Sequence, residues 1–314
     1  NTTGQYNAAF GQNALYNNTT AGNNTATGSH ALFANTTGAD NVAIGKGALD
    51  ANTTASDNTA VGANALTTNT TGTANVAVGT SSLNNNTTAS YNTAVGQASL
   101  HNTTTGSENT ATGHSAALAV TTGSRNTLLG AFVCYNGPYL TTGSYNTIVG
   151  SYSRTSSGSS THANGLGYNL ACNGGYTTVG SGSDDIRAQN GIATWATISD
   201  ERYKKDITDS TAGLAFVNAL QPRTWNYKTK GELPSTFNAY EEGSTEVFKS
   251  TQTNHGFIAQ EVKAAIDADA GIKDGFKMWD DREDGSQEVA EAALIPVLVK
   301  AIQELTARLE ILEG

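Results

Sequence analysis

The sequence predicts a mainly β, repetitive N-terminal shaft joined to a smaller α+β C-terminal domain that ends in a long helix. Three observations predict this. A short Asn-x-Ala-x-Gly-like box returns every 17 residues, the composition changes abruptly near 190–199, and a heptad of apolar residues closes the chain.

The box begins at Asn7, Asn24, Asn41, Asn58, Asn75, Asn92, Asn109 and Asn126, and its glycines fall at Gly11, Gly28, Gly45, Gly62, Gly79, Gly96, Gly113 and Gly130. A leucine keeps the same step at Leu15, Leu32, Leu49, Leu66, Leu83 and Leu100, as does an Asn-Thr-Thr box at Asn1, Asn18, Asn35, Asn52, Asn69 and Asn86. A ninth copy, Asn146 to Gly150, follows a three-residue insertion around Asn136-Gly137-Pro138, and Gly167 and Gly180 stand as remnants beyond it. The residue after Thr-Thr alternates Gly4, Ala21, Gly38, Ala55, Gly72, Ala89, which makes a 34-residue superperiod. That equals a helical-repeat length, but Asn, Thr and Gly are poor helix formers. Val, Ile and Thr bounded by Gly and Asn suit short strands and tight turns.

A 17-residue unit fits one coil of a parallel β-solenoid with two short strands and two turns. Thr93-Ala94-Val95 is then one strand, the stretch around Ala48-Leu49 lies near the second, and the leucines form a ladder inside. Coils stack about 4.8 Å apart, so nine give a body roughly 43 Å long. One small coil buries little. Ala94 and Val95 point to opposite faces, so the coil's interior covers one face and neighbouring chains can cover the other. The Asn-Thr-Thr boxes are formal glycosylation sequons, but their fixed spacing assigns them to the turns.

Residues 1–198 hold 4 Lys+Arg and 6 Asp+Glu, whereas 199–314 hold 13 and 21; 26 of the 34 glycines precede Ser199. This step marks a domain boundary. We expect a shaft over 1–150, an irregular shaft end or receptor-binding tip over 151–198, and a separate domain over 199–314. The stretch 131–190 breaks the repeat and brings Tyr135, Tyr139, Tyr145, Tyr152, Tyr168 and Tyr176; these either carry binding or cap the solenoid. The net charge of −10 argues against a nucleic-acid partner, which needs clustered Lys and Arg. No run of 18 apolar residues suggests a membrane span. The chain opens on Asn1 inside a repeat, without a leader, and reads as a fragment of a longer protein. Cys134 and Cys172 are too few for a disulfide scaffold and read as free buried thiols rather than a single bridge. With no CxxC and no His/Cys cluster at metal spacing, neither metal nor cofactor is expected.

After Gly191 the pattern changes. Residues 211–221 predict a short helix, Trp225-Asn-Tyr227 a strand, and His255 to Val262 a strand running into a helix that ends near Asp269. A last helix is expected from about Glu288 to Leu312. Its seam is Ile295, Leu298, Ile302, Leu305, Leu309 and Leu312, spaced 3, 4, 3, 4, 3, which suits a coiled coil. The alternation of Ile295, Ile302 and Leu309 with three leucines leans toward two strands and does not demand three. The alternative is an amphipathic helix packed on its own domain. Pro296 sits inside the seam, so the coil either kinks or begins there.

The boxes Asn41–Gly45 (Asn-Val-Ala-Ile-Gly) and Asn75–Gly79 (Asn-Val-Ala-Val-Gly) resemble the head repeats of trimeric autotransporter adhesins, over about 1–150. The resemblance implies a parallel β-roll shaft assembled as a trimer. Ser199-Asp200-x-Arg202-x-Lys204-Lys205-Asp206-Ile207, then Leu220-x-Pro222, then Gly256 to Val262, then a terminal helix ending Leu309-Glu310, resemble the intramolecular chaperone domain of endosialidase-type phage tail spikes. This second resemblance implies a domain that trimerises, nucleates folding of the fibre upstream, and cuts itself off immediately before the motif serine.

The cut bond would be Ile198–Ser199. A serine hydroxyl needs a base, and no Ser-His-Asp arrangement is visible. A lysine made neutral by burial can serve. By the resemblance, Ser199 and Lys204 form that pair, with Lys205 the next candidate base and Asp200, Arg202 and Asp206 in supporting roles. From the residues alone, Ser199 could merely cap a turn beside solvated lysines. The function expected is a structural and adhesive tail-fibre segment of a virion: a homotrimer meeting a host receptor or glycan and continuing into further fibre or tail proteins. A cellular surface adhesin is the alternative. A polysaccharide-degrading spike fits less well, because six acids in 1–198 offer no obvious carboxylate pair.

Overall fold

The structure is a computed structural model and describes residues 2–135, 140–192, 195–196, 199–269, 271–272, 276 and 278–313. It divides into two compact units, Asn1–Asp200 and Glu201–Gly314.

In the first unit each box is a three-residue strand. β1 to β9 are Ala8–Phe10, Thr25–Thr27, Val42–Ile44, Thr59–Val61, Val76–Val78, Thr93–Val95, Thr110–Thr112, Thr127–Leu129 and Thr147–Val149. They pair in parallel, each with the same position of the next coil. The middle residue points inward, so Ala26, Ala43, Ala60, Ala77, Ala94, Ala111, Leu128 and Ile148 are fully buried. The flanking residues point outward; Ile44 and Val95 are exposed. The glycine that closes the box has to be glycine. At Gly45, with φ +136°, a Cβ would sit 2.5 Å from the carbonyl oxygen of Gly62 in the next coil.

Among the described residues, the expected second strand is absent from the coils up to β9. There the chain turns through left-handed residues instead. Leu15, Leu32, Leu49, Leu66, Leu83 and Leu100 all have φ between 48° and 53°, a region that costs a non-glycine residue about 1 kcal/mol or more. Extended pairing cannot run through such residues. The coils still bond to each other here, as Leu49 N–H donates to Ala65 O at 3.0 Å and Ala51 N–H to Thr67 O at 3.0 Å. The return is burial: five of these leucines are wholly inside, and burying a leucine contributes about 1.5–3 kcal/mol. A second-face strand pair forms only at the far end of the shaft, where β10 (Arg154–Thr155) pairs with β12 (Ala171–Cys172).

The main sheet continues past Gly150. β11 (Asn164–Tyr168) pairs in parallel with β9 and with β13 (Tyr176–Ser181), and β14 (Asp184–Gln189) closes it antiparallel to β13. Gly167 (φ 144°) and Gly180 (φ 148°) keep the conformation of the box glycines. Cys134 and Cys172 are free thiols inside this end of the core.

Two asparagine ladders run through the interior. Box residues Asn24 to Asn146 are buried. Each backbone N–H donates to the side-chain oxygen of the box asparagine one coil earlier, as from Asn41 to Asn24 Oδ1 at 2.9 Å. The Asn-Thr-Thr asparagines are equally buried and donate side chain to side chain, as from Asn52 Nδ2 to Asn35 Oδ1 at 2.9 Å. The ladders meet on shared carbonyls: Ala55 O accepts from Asn41 Nδ2 and from Asn52 Nδ2. The second ladder stops where the next coil carries Thr103, whose hydroxyl donates to Val120 O. Asn86 Oδ1 is consequently buried without a partner.

The second unit is small and mixed. β15 (Arg223–Trp225) pairs antiparallel with β16 (Asn254–Gly256), and β17 (Trp279–Asp281) with β18 (Gln287–Val289). α1 (Leu214–Ala219), α2 (Ala259–Ala268) and α3 (Leu294–Glu313) supply most of a core around Phe216, Val262, Ile266, Met278, Leu294 and Val297. The last helix starts at Leu294 rather than near Glu288, because residues 287–289 are taken by the β17–β18 hairpin. Pro296 falls in the first turn, where its missing N–H has no intrahelical partner to lose.

Candidate functional site

The motif expected to cut the chain lies at the junction of the two units. Ser199 and Asp200 end the first; Arg202, Lys204, Lys205 and Asp206 open the second. Ile198, the other side of the expected cleavage bond, lies outside the described residues. Glu201–Tyr203 form one 3-10 turn, and Lys204 N–H donates to Glu201 O at 2.8 Å. Asp206 then turns the chain with φ 55°. Ser199 and every residue from Glu201 to Ser210 are exposed, and Asp200 is half-buried. Tyr203 and Ile207 expose large side chains beside the motif.

The other motif residues are scaffold. Leu220 and Val262 are in the core. Arg223 and Glu261 form a two-pronged ion pair at 2.8 and 3.0 Å, which holds the Glu261 carboxyl below the usual carboxylate range. The pair ties β15 to α2 next to Pro222. Gly256 has φ 154°, a backbone conformation that other residues rarely adopt, so a substitution there is strained.

The terminal helix packs on its own unit through one face and leaves the heptad seam outside. Leu294, Val297 and Ala301 are buried, and Glu304 Oε2 accepts from Leu214 N–H at 2.9 Å, fastening α3 to the start of α1. Ile295, Leu298, Ile302, Leu305, Leu309 and Leu312 are between 42% and 81% exposed. The two sequence alternatives for this helix thus use different faces of it.

At the end of the shaft the described tyrosines fall in three groups. Phe132 contacts the rings of His114, Tyr135 and Tyr152, and Tyr152 that of Tyr168. Tyr145 stacks on His162 and accepts from Arg125, which also pairs with Glu108 at 3.0 Å. Tyr176 lies under the Arg187 guanidinium. Tyr139 is outside the described residues.

Residues 199–271 match the family model described as the chaperone of endosialidase, and the match begins on Ser199. No curated protein and no solved structure matches the chain. The chain therefore carries a chaperone-of-endosialidase domain on a parallel β-solenoid shaft, and that family is one of self-cleaving intramolecular chaperones. Its description supports a chaperone role for this domain.

Proposed function

We propose that the chain is the distal segment of a homotrimeric viral tail fibre that mediates host attachment, and that its C-terminal domain aligns three chains, assists their folding and then cuts itself off between Ile198 and Ser199. The observation that carries this reading is the family match opening on Ser199, at the point where the solenoid unit gives way to the second unit.

In the reaction, the Ser199 hydroxyl attacks the Ile198 carbonyl carbon and its proton passes to Lys204 Nζ. The C–N bond breaks and the Ser199 nitrogen takes that proton, leaving an ester between the Ile198 acyl group and Ser199 Oγ. Water hydrolyses the ester to give the Ile198 carboxylate and a chain beginning at Ser199. The substrate is tethered, so orientation alone replaces diffusion, and each chain reacts once. Lys204 must be neutral to act, which requires desolvation. It is exposed on the single chain, so the drying would come from neighbouring chains and would couple cleavage to assembly. Lys205 is the alternative base, and Asp200, Arg202 and Asp206 take supporting roles.

The outward seam of α3 and the outward Ile44 and Val95 of the shaft supply apolar surface for such neighbours. A cellular trimeric adhesin at a cell surface would use the same shaft. Mass spectrometry of freshly folded protein tests the proposal. Fragments of 198 and 116 residues should appear, and Ser199→Ala should leave the chain whole yet trimeric. A wild-type chain that stays intact as a trimer would mean that the domain assembles without cutting.

A further inference from the structure

Three segments at the end of the shaft converge on one shallow hollow of about 630 Å³, within the usual range for small-ligand sites. Ser159, Thr161 and His162 precede β11, Gly175 precedes β13, Gln189 ends β14 and Asn190 follows it. Hydrogen bonds hold these segments together. Gly175 N–H donates to Thr161 O at 3.0 Å, and Asn190 N–H to Gly175 O at 2.8 Å. Asn190 Nδ2 donates to His162 O at 2.9 Å, while its Oδ1 accepts from Thr177 Oγ1 at 3.0 Å. The hollow is thus shaped before any ligand arrives, which lowers the cost of binding. At Gly175 (φ 75°) nothing lies within 4 Å of where a Cβ would be, so the backbone itself is open to a ligand.

The lining is chemically selective. Hydroxyls and amides both donate and accept hydrogen bonds. No Lys, Arg, Asp or Glu lines the hollow among the described residues, so phosphate or carboxylate groups would find no counter-charge. No aliphatic side chain lines it either, which disfavours a lipid or an apolar peptide. At the rim the His162 ring lies 5.2 Å from the Tyr145 ring, within 6° of parallel. Both residues are exposed; the Arg125 guanidinium, paired with Glu108, lies 5.4 Å from the Tyr145 ring centroid, so the C–H face of a sugar ring would rest on the His162 side of the stack.

We propose that this hollow binds a neutral glycan through Thr161, Gln189 and the Gly175 backbone, with the Tyr145–His162 stack as its platform. The inference rests on the attachment reading above and names the class of receptor. It is tested with the trimeric protein on a microarray carrying neutral, sialylated and uronate-containing glycans. Wild type should bind neutral glycans only. Thr161→Ala, His162→Ala and Gln189→Ala should each bind about tenfold more weakly, the loss of roughly one hydrogen bond or stacking contact, with unchanged melting. Asn190 is left alone because it holds the loops. Binding confined to charged glycans, or neutral binding that all three variants retain, overturns this site while the attachment reading stands. No binding to any glycan also overturns it, and adhesion of labelled protein to whole cells then tells whether attachment falls too.

Discussion

Replacing Asn52 with aspartate changes one side-chain nitrogen to oxygen in the middle of a ladder. Asn52 is fully buried. Its Nδ2 donates to Asn35 Oδ1 at 2.9 Å and to Ala55 O at 3.0 Å, and its Oδ1 accepts from Asn69 Nδ2 at 3.1 Å. An aspartate keeps the last bond and loses both donors. Ala55 O still has Asn41, but Asn35 Oδ1 is left with none. Two lost bonds at about 1 kcal/mol each and one orphaned buried acceptor at about 1–3 kcal/mol give about 3–5 kcal/mol per chain, before any charge is buried. For a unit of this size that corresponds to roughly 6–20 °C in melting temperature. Thr54→Asp adds the same charge at an exposed position of the same turn and should change stability by no more than about 0.5 kcal/mol. In Asn52→Asp the buried carboxyl would have its pKa raised above the unfolded value near 3.9. Its charge penalty therefore grows as pH rises from the unfolded to the folded pKa, and it is absent below both. The melting gap between the two variants should be widest near neutrality and narrow in acid. Equal melting of the two at about pH 7 would mean that the ladder contributes nothing and that the interior asparagines are wrongly understood.

Two further outcomes are expected. Burial pushes the Cys134 thiol up to about 12 and the Cys172 thiol up to about 11, so neither should react with iodoacetamide at about pH 8 in the native protein, and both should after unfolding; native labelling counted by mass would show that the shaft end opens. In the uncut Ser199→Ala background, Ile302→Asp with Leu309→Asp should leave the second unit folded, because its core uses Leu294, Val297 and Ala301, yet reduce the sedimenting species from about three times the 32.4 kDa chain mass toward one; an undiminished mass would remove the seam from the assembly.

The strands were legible because the box keeps its 17-residue step: β2 to β8 each begin one residue after a box asparagine. The leucine ladder was legible for the same reason. The left-handed backbone at those leucines was not, because leucine carries no local signal for positive φ; only the stacking of coils stabilises it. Nor were the Asn-Thr-Thr asparagines recognisable as core. Taken singly, Asn-Thr-Thr reads as a turn, and only pairing with its own copy one coil away satisfies a buried amide. In the second unit, Pro296 lies in the first turn of the last helix, where the sequence had left a kink or a start of the coil open, while the stretch from about Glu288 that read as helix begins in a hairpin. The hollow at the shaft end was out of reach of sequence, because three segments meet there through a shortened coil, with β11 and β13 only 13 residues apart.

The distribution of irregularities along the shaft bears on why a chaperone should follow it. From Asn18 to Asn86 successive coils present the same asparagine, the same leucine and the same box. Chains laid side by side there can slip by one coil and lose only the contacts of the end coil, so local energetics choose no register. The marks that do distinguish one coil from the next crowd toward the C-terminal end. Thr103, Val120 and Leu140 replace the second asparagine ladder in turn. The step between box asparagines lengthens from 17 to 20 residues between Asn126 and Asn146, and the last parallel step shortens to 13. Alignment begun at this end meets three mismatches at once if it is wrong by a coil, whereas alignment begun at Asn18 meets none for several coils. A domain that gathers chains immediately after residue 198 starts the process where the sequence can tell right from wrong. On the proposed trimer, zipping would then run from the distinctive coils into the uniform ones, and the long repetitive stretch would inherit a register it could not have selected.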